Sequence, residues 1–439
     1  MDLLFSESLG TGKSVLLLVS LLIACAFEFV NGFHDTANAV ATVIYTKSLK
    51  PWTAVIWSGV CNFLGVFMGG IAVAMAIVNL LPVELLVSKG TGAGLAMVLA
   101  LLLAAVVWNL GTWYFGLPAS SSHTMIGAIL GVGLANSLLP GHAFGSGVNW
   151  LKAREVGLAL LVSPLFGFGM SFVLLRLAKV LIPSPELYTA PRGDRPPVWW
   201  IRGILIGTCT GVSFAHGSND GQKGVGLVML ILIGILPVTF ALNPHATPQQ
   251  IQHAYAIADV QKVSTPELAE AAELLAGKSS MLDVPAQRRI DLRRDLLLAD
   301  ASFKKAGAEG GSTLRKLTDY APTWVMVLIA LSLGIGTMVG WQRIVVTVGE
   351  KIGKSHLTYA QGAVAELIAM MTIGLSAMTG LAVSTTHVLS SGVAGTMVAA
   401  GSGLQMATVK KIASAWILTL PVSMVLSGAL FLLFRLFLN

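Results

Sequence analysis

Ten apolar runs of membrane-spanning length fall into two matching series of five. The first series covers 14–46, 52–81, 93–115, 117–139 and 156–182; the second covers 200–241, 322–341, 358–380, 381–400 and 411–438. Because about 20 apolar residues cross a bilayer as a helix, the pattern predicts an all-α polytopic membrane protein of about 10–12 transmembrane segments. The leading run of each series is interrupted, near Asn31-Gly32 and near His216-Gly217. At each interruption stands a polar block, Gly32-Phe33-His34-Asp35-Thr36-Ala37 and, in altered form, Gly217-Ser218-Asn219-Asp220-Gly221-Gln222. An aspartate within hydrocarbon is costly unless it is paired or lines a wet cavity, so both mark a functional site.

Composition sharpens this reading. The chain has 439 residues, 55% hydrophobic and only 11% charged, with mean hydropathy +0.78, whereas soluble domains carry roughly 25% charged residues. The net charge of +7 fits basic short loops on the cytoplasmic side. No basic run with interleaved aromatics supports nucleic-acid binding. Cys25, Cys61 and Cys209 are scattered without metal-ligand or disulfide spacing and read as small buried hydrophobes. Residues 14–30 mimic a signal peptide, but the acidic Asp2 and Glu7 make a poor leading region, so the run reads as a retained first membrane helix.

A second duplicated motif confirms the two series. Leu117-Pro118-Ala119-Ser120-Ser121-Ser122-His123 matches Leu381-Ala382-Val383-Ser384-Thr385-Thr386-His387. Asp35 precedes His123 by 88 residues and Asp220 precedes His387 by 167; the difference, 79, is almost the 78-residue length of the polar stretch 243–320. The domains expected are therefore a first repeat (1–182), a linker (183–199), the start of a second repeat (200–242), a helical insertion on the cytoplasmic side (243–320) and the remainder of the second repeat (321–439). The insertion holds ten basic and ten acidic residues. Within it, Thr265-Pro266-Glu267 reads as a helix start, with amphipathic helices from Glu267 to Leu275 and from Gln287 to Phe303.

Interrupted hydrophobic segments at corresponding places in two repeats mark the substrate site of many secondary transporters. Half-helix N-termini present unpaired N–H groups and suit anions. Ser120, Ser121 and Ser122, with Ser384, Thr385 and Thr386, add hydroxyls that would surround a small oxyanion. Asp35 and Asp220 suit an anion that brings its own proton, such as phosphate, since a carboxylate accepts a P–OH in a charge-assisted hydrogen bond. Alternatively they hold a coupling proton, Na⁺ or a divalent metal. His34, beside Asp35, can carry a proton near neutrality, whereas its counterpart Asn219 can only coordinate. Gln222 and Lys223 stand opposite Ala37 and Asn38 in the alignment of halves, and Lys223 could neutralise Asp220 or meet the anion. Glu28, Asn31, His216 and Glu366 are further polar groups in apolar runs, Glu28 and Glu366 being candidate proton relays. Gly65 with Gly69, and Gly127 with Gly131, have the spacing of close helix packing.

The paired blocks, with Asn38-Ala39 continuing the first, resemble the duplicated signature of the inorganic phosphate transporter (PiT) family over nearly the whole chain, and most closely its bacterial low-affinity permeases. The resemblance implies two inverted repeats with re-entrant hairpins, and cation-coupled phosphate uptake at the plasma membrane, the bacterial inner membrane. By motif it implies phosphate-site roles for Asp35, Ser121, Ser122, Asp220, Thr385 and Thr386. The family places cation-coupling groups at His34, Asn38 and Asn219, to which Gln222 and Lys223 are added as coupling candidates from their place beside Asp220, and hairpin support falls to Ser120, His123, Ser384 and His387. Sodium-coupled relatives have Asn-Asp in both blocks; here His34 and Lys223 replace neutral ligands, which favours protons over sodium. The expected cargo is phosphate with H⁺, or Na⁺, and a divalent metal travelling as a metal–phosphate complex that Asp35 and Asp220 would touch. No tightly bound cofactor is expected; the partners are phosphate, the lipid bilayer and a second copy of the chain. Rivals are a sulfate permease on the same scaffold and an intramembrane hydrolase using Ser120, His123 and Asp35. Both halves keep their hydroxyls, histidine and aspartate, which argues against an enzyme.

Overall fold

A computed structural model describes residues 10–78, 91–141, 143–145, 148, 150–191, 193, 195–261, 266–306, 311–379 and 383–438. The first half holds α1 (Thr11–Tyr45), α2 (Pro51–Met68), α3 (Ala72–Val78), α4 (Thr91–Tyr114), α5 (Ser121–Ser137) and α6 (Trp150–Leu181). The second half opens with α7 (Trp199–His216), a π-helical turn (Gly217–Gly221) and α8 (Gln222–Ile235). The insertion contributes α9 (Pro248–Gln261), α10 (Pro266–Leu275) and α11 (Arg289–Ala306). The chain then continues through α12 (Thr323–Thr337), α13 (Gln342–Val346), α14 (Tyr359–Thr379), α15 (Thr385–Ala400) and α16 (Met406–Leu438). No β-strand occurs among the described residues beyond one isolated bridge, Gly353 to Leu404. Each apolar run thus became helix, with starts set by local chemistry. Pro51 opens α2, and Thr358 and Gln361 cap α14 reciprocally through side chain and backbone.

One expected break is absent. Helix α1 passes through Asn31 and Gly32 as a continuous 35-residue helix. Gly32 serves packing instead: a Cβ there would overlap the backbone of Leu333 and Thr337 on α12, and Thr36 Oγ1 donates to Thr337 O at 3.1 Å. The second expected break survives as the π turn, in which Gly217 lets the chain lie against the Asn62 backbone of α2. Such π turns commonly mark functional positions in helices.

The outer surface is apolar. On α6 and α16, Leu161, Leu165, Val180, Ile417, Val425 and Phe437 are all exposed, which only lipid makes favourable, and the chain is a multi-pass membrane protein. Five described helices are long and apolar enough to span, or six if 323–337 and 342–351, bent by 56°, count as one. This is fewer than the 10–12 expected, partly because α5 and α15, with 17 and 16 residues, reach only about 25 Å at 1.5 Å per residue, short of a roughly 30 Å hydrocarbon core.

Packing crosses between the halves. Helix α5 lies on α16, and α15 lies on α6. Gly127 and Gly131 of α5 have no room for a Cβ against Leu420, Ser423 and Met424, as Gly395 of α15 has none against Phe168. Gly65 of α2 and Gly69 at its C-terminal cap meet Phe214 and Ser218 in the same way. The small-residue spacing is therefore helix contact. Gly127→Val should push α5 from α16, costing about 1–3 kcal/mol as overpacked cores do; a lowered melting temperature in detergent, together with weakened transport, checks this.

The insertion forms its own core of Ile251, Leu268, Leu275, Leu292, Leu296 and Phe303, among others. Pro266 opens α10 as expected, Thr265 lying outside the described residues, while α9 was not anticipated. Buried Arg293 donates at 2.9 Å to both Ala241 O and Thr318 O, tying the two ends of the insertion together. Burial lowers this guanidinium to about 10, so it stays charged at neutral pH.

Candidate functional site

Asp35 on α1 and Asp220 in the π turn are 2% and 0% exposed; Asp35 meets the starts of both α5 and α15, and Asp220 meets the start of α15. These starts are built alike. Ser120 and Ser384 are in extended conformation and accept from the backbone N–H of His123 and His387, at 3.3 and 3.1 Å. Capping by residues 120 and 384 turns the hydroxyls of the following residues toward the carboxylates. Thr386 donates to Asp35 Oδ1 at 2.8 Å, and Ser121 approaches Asp35 Oδ2 at 3.5 Å. Thr385 donates to Asp220 Oδ2 at 3.3 Å. Asp35 therefore contacts hydroxyls at the starts of both α5 and α15.

The halves mirror each other in a further pair. Asn38, three residues after Asp35, donates to Asp35 Oδ1 at 3.0 Å and to Thr386 Oγ1 at 3.1 Å. Lys223, three residues after Asp220, pairs with Asp220 Oδ1 and donates to Ser122 Oγ at 2.5 Å. Each thus links its own aspartate to a helix start of the opposite half, Thr386 of α15 or Ser122 of α5. Where the first half uses a neutral amide, the second uses an ammonium.

The centre of the site is His216. Its Nε2 lies 3.2 Å from Asp35 Oδ2 and 2.7 Å from Asp220 Oδ2. On the other side, Nδ1 meets Asn62 Oδ1 at 3.1 Å, and the Asn62 amide nitrogen is directed to Ser58 Oγ at 3.4 Å. With Nδ1 donating to Asn62, Nε2 either carries a second proton or offers its lone pair to a cation that the carboxylates share. Asp35, His216 and Asp220 present ligand atoms all within 4.8 Å of one another, and one nitrogen with two carboxylate oxygens suits a divalent metal. The sequence marked His216 as a polar group without assigning it this position. Its i,i+4 spacing from Asp220 was the available signal, since such residues share a helix face.

Other sequence candidates lie elsewhere. His34 Nε2 faces Thr112 of α4 at 3.1 Å, Asn219 donates to Ser376 of α14 at 2.8 Å, and Gln222 donates to Val66 O of α2 at 2.8 Å. Sequence neighbours on a helix diverge by about 100°, so adjacency to an aspartate does not bring a side chain to it. The histidines in the first turns of α5 and α15 meet each other: the rings of His123 and His387 are 4.4 Å apart, and His387 stacks on Trp416 at 4.0 Å. Trp416 in turn donates to Pro118 O at 2.9 Å. Glu366 accepts from Thr208 at 2.5 Å on the α7–α14 interface.

A lipid-embedded helical bundle with a charged, hydroxyl-lined cluster between its two halves defines a membrane transporter. A profile of the phosphate transporter family matches residues 31–192 and 186–427. The low-affinity inorganic phosphate transporter PitA of Escherichia coli K12 is 42% identical, covering 95% of this chain and 96% of its own length. A low-affinity inorganic phosphate transporter of Buchnera aphidicola from Acyrthosiphon pisum is 41% identical, covering 98% of each. A solved structure, the sodium-dependent phosphate transporter, shares the fold with a TM-score of 0.60 at 21% identity, over 96% of this chain and 99% of that one. The chain belongs to the phosphate transporter family.

Proposed function

We propose that this protein imports inorganic phosphate across the bacterial inner membrane by proton-coupled alternating access, its two repeats running in opposite senses through the bilayer. The observation that carries the reading is the contact of Asp35 with hydroxyls of both hairpins, Ser121 and Thr386. Such a site closes only when the halves come together, as alternating access requires. The hydroxyls of Ser121, Ser122, Thr385 and Thr386 and the N-terminal amides of α5 and α15 supply donors to phosphate oxygens. Asp35 and Asp220 accept the phosphate's own P–OH protons, which sulfate lacks. Lys223 contributes a fixed positive charge where the first half has Asn38, lessening the need for a transported sodium ion. His216 binds the coupling proton, or a divalent metal carried with hydrogen phosphate between Asp35 and Asp220. His34, Asn219 and Gln222 support the surrounding helices and are not direct ligands of the anion. The relatives named as inorganic phosphate transporters support the substrate.

The test is uptake of labelled phosphate into proteoliposomes. Excess sulfate should not compete, an inward proton gradient should drive accumulation, Na⁺ should be dispensable, and divalent metal should enhance uptake. Uptake that requires Na⁺ and ignores the pH gradient would refute proton coupling.

A further inference from the structure

We infer that Glu28 is a second proton-binding position in the transport cycle, exchanging protons in step with the charge state of the Lys223–Asp220–His216 cluster. The inference rests on the proton-coupled reading above.

Glu28 lies on α1 seven residues before Asp35, hence on nearly the same face and about 10 Å along the axis. It is 0% exposed, and neither carboxyl oxygen has a hydrogen-bond partner of good geometry. An unsupported carboxyl at membrane depth is costly, and such residues line ion or proton paths. Its position is built: the Glu28 carboxyl occupies the space that a side chain on residue 224 would fill, so Gly224 makes room for it directly after Lys223. The titratable and charged groups that face it are Asp220, Lys223 and His216 from α7, the π turn and α8, and Cys25 on its own helix; Asn31 is the neutral neighbour.

The reason for a proton here is charge balance. Lys223 is paired with Asp220. When phosphate engages the Lys223 ammonium, that cation is shared with a new anion, and a negative Glu28 nearby opposes the change. A proton taken from water on the entry side forms the Glu28 O–H bond and removes this repulsion. When phosphate leaves, Lys223 returns to Asp220, the O–H bond breaks, and the proton passes to water on the exit side, leaving the carboxylate. One proton is bound and one released per cycle.

The experiment compares wild type, Glu28→Gln and Glu28→Asp in proteoliposomes, by phosphate–phosphate exchange without a gradient and by accumulation under an inward proton gradient. Glu28→Gln should keep exchange within about threefold, lose roughly tenfold or more of gradient-driven accumulation, and flatten the pH profile of uptake, while Glu28→Asp restores the gradient response. A Glu28→Gln protein that accumulates phosphate under the gradient like wild type overturns the inference, as does equal loss of exchange and accumulation in both variants, the sign of a packing role. Wild type indifferent to the gradient instead removes the proton reading itself, and this inference with it.

Discussion

Lys223→Asn abolishes most proton-driven phosphate uptake and lowers the melting temperature, since breaking a buried ion pair destabilises a protein by on the order of 3–5 kcal/mol. Lys223 is 1% exposed and bridges Asp220 to Ser122 at the start of α5. Asparagine is the informative replacement because the first half already places one here: Asn38 bridges Asp35 to Thr386. The asparagine fits the place, and what is lost is the charge that balances Asp220. Adding Asp220→Asn removes the orphaned carboxylate, so the double variant recovers melting temperature but not uptake. Uptake assays beside thermal unfolding in detergent check this pair. Wild-type transport by Lys223→Asn would show that the ammonium plays no part at the site.

Asp35→Asn and Asp220→Asn, made singly, each reduce phosphate uptake by about 10- to 100-fold, the range for loss of a hydrogen bond to a charged group. An amide still reaches the hairpin hydroxyls, but it cannot accept a phosphate P–OH in a charge-assisted bond. The hydroxyls themselves should be unequal. Thr386 contacts Asp35 at 2.8 Å and Asn38 at 3.1 Å, whereas Thr385 reaches Asp220 at 3.3 Å. Thr386→Val is therefore expected to lose about tenfold or more and Thr385→Val, whose bond is longer, about threefold, well-formed hydrogen bonds to a charged acceptor being worth about 1.5–3 kcal/mol. Full uptake by both aspartate variants would remove the site assignment.

Much of this architecture was legible because lipid imposes a strict rule. Every run of apolar residues must be helix, and every polar group within it needs a reason. The paired Asp35 and Asp220 blocks and the Ser/Thr-His triplets therefore marked residues that the fold brings together, and the caps at Ser120 and Ser384 follow from residue type. The Asn31-Gly32 position misled because glycine has two uses. It can end a helix or let another backbone approach, and only the neighbouring α12 decides between them. His34, whose ring faces Thr112, and His216, which lies between the aspartates, both sit away from where linear adjacency suggests, for a single reason. Linear adjacency to a carboxylate is conspicuous in a sequence, but a helix joins residues four apart. Glu28 was visible as a polar residue in an apolar run; its closeness to Lys223 depends on how α1 packs on α8. The Arg293 clamp across the insertion likewise joins segments far apart in sequence.

The central claim is that one anion is held jointly by elements of both halves. A high-resolution structure determined in saturating phosphate tests it most directly. We expect one phosphate between the starts of α5 and α15, within hydrogen-bonding distance of residues 121–122 and 385–386, with Asp35 and Asp220 at its protonated oxygens. Phosphate ligated by one half alone, or bound away from both carboxylates, would contradict it.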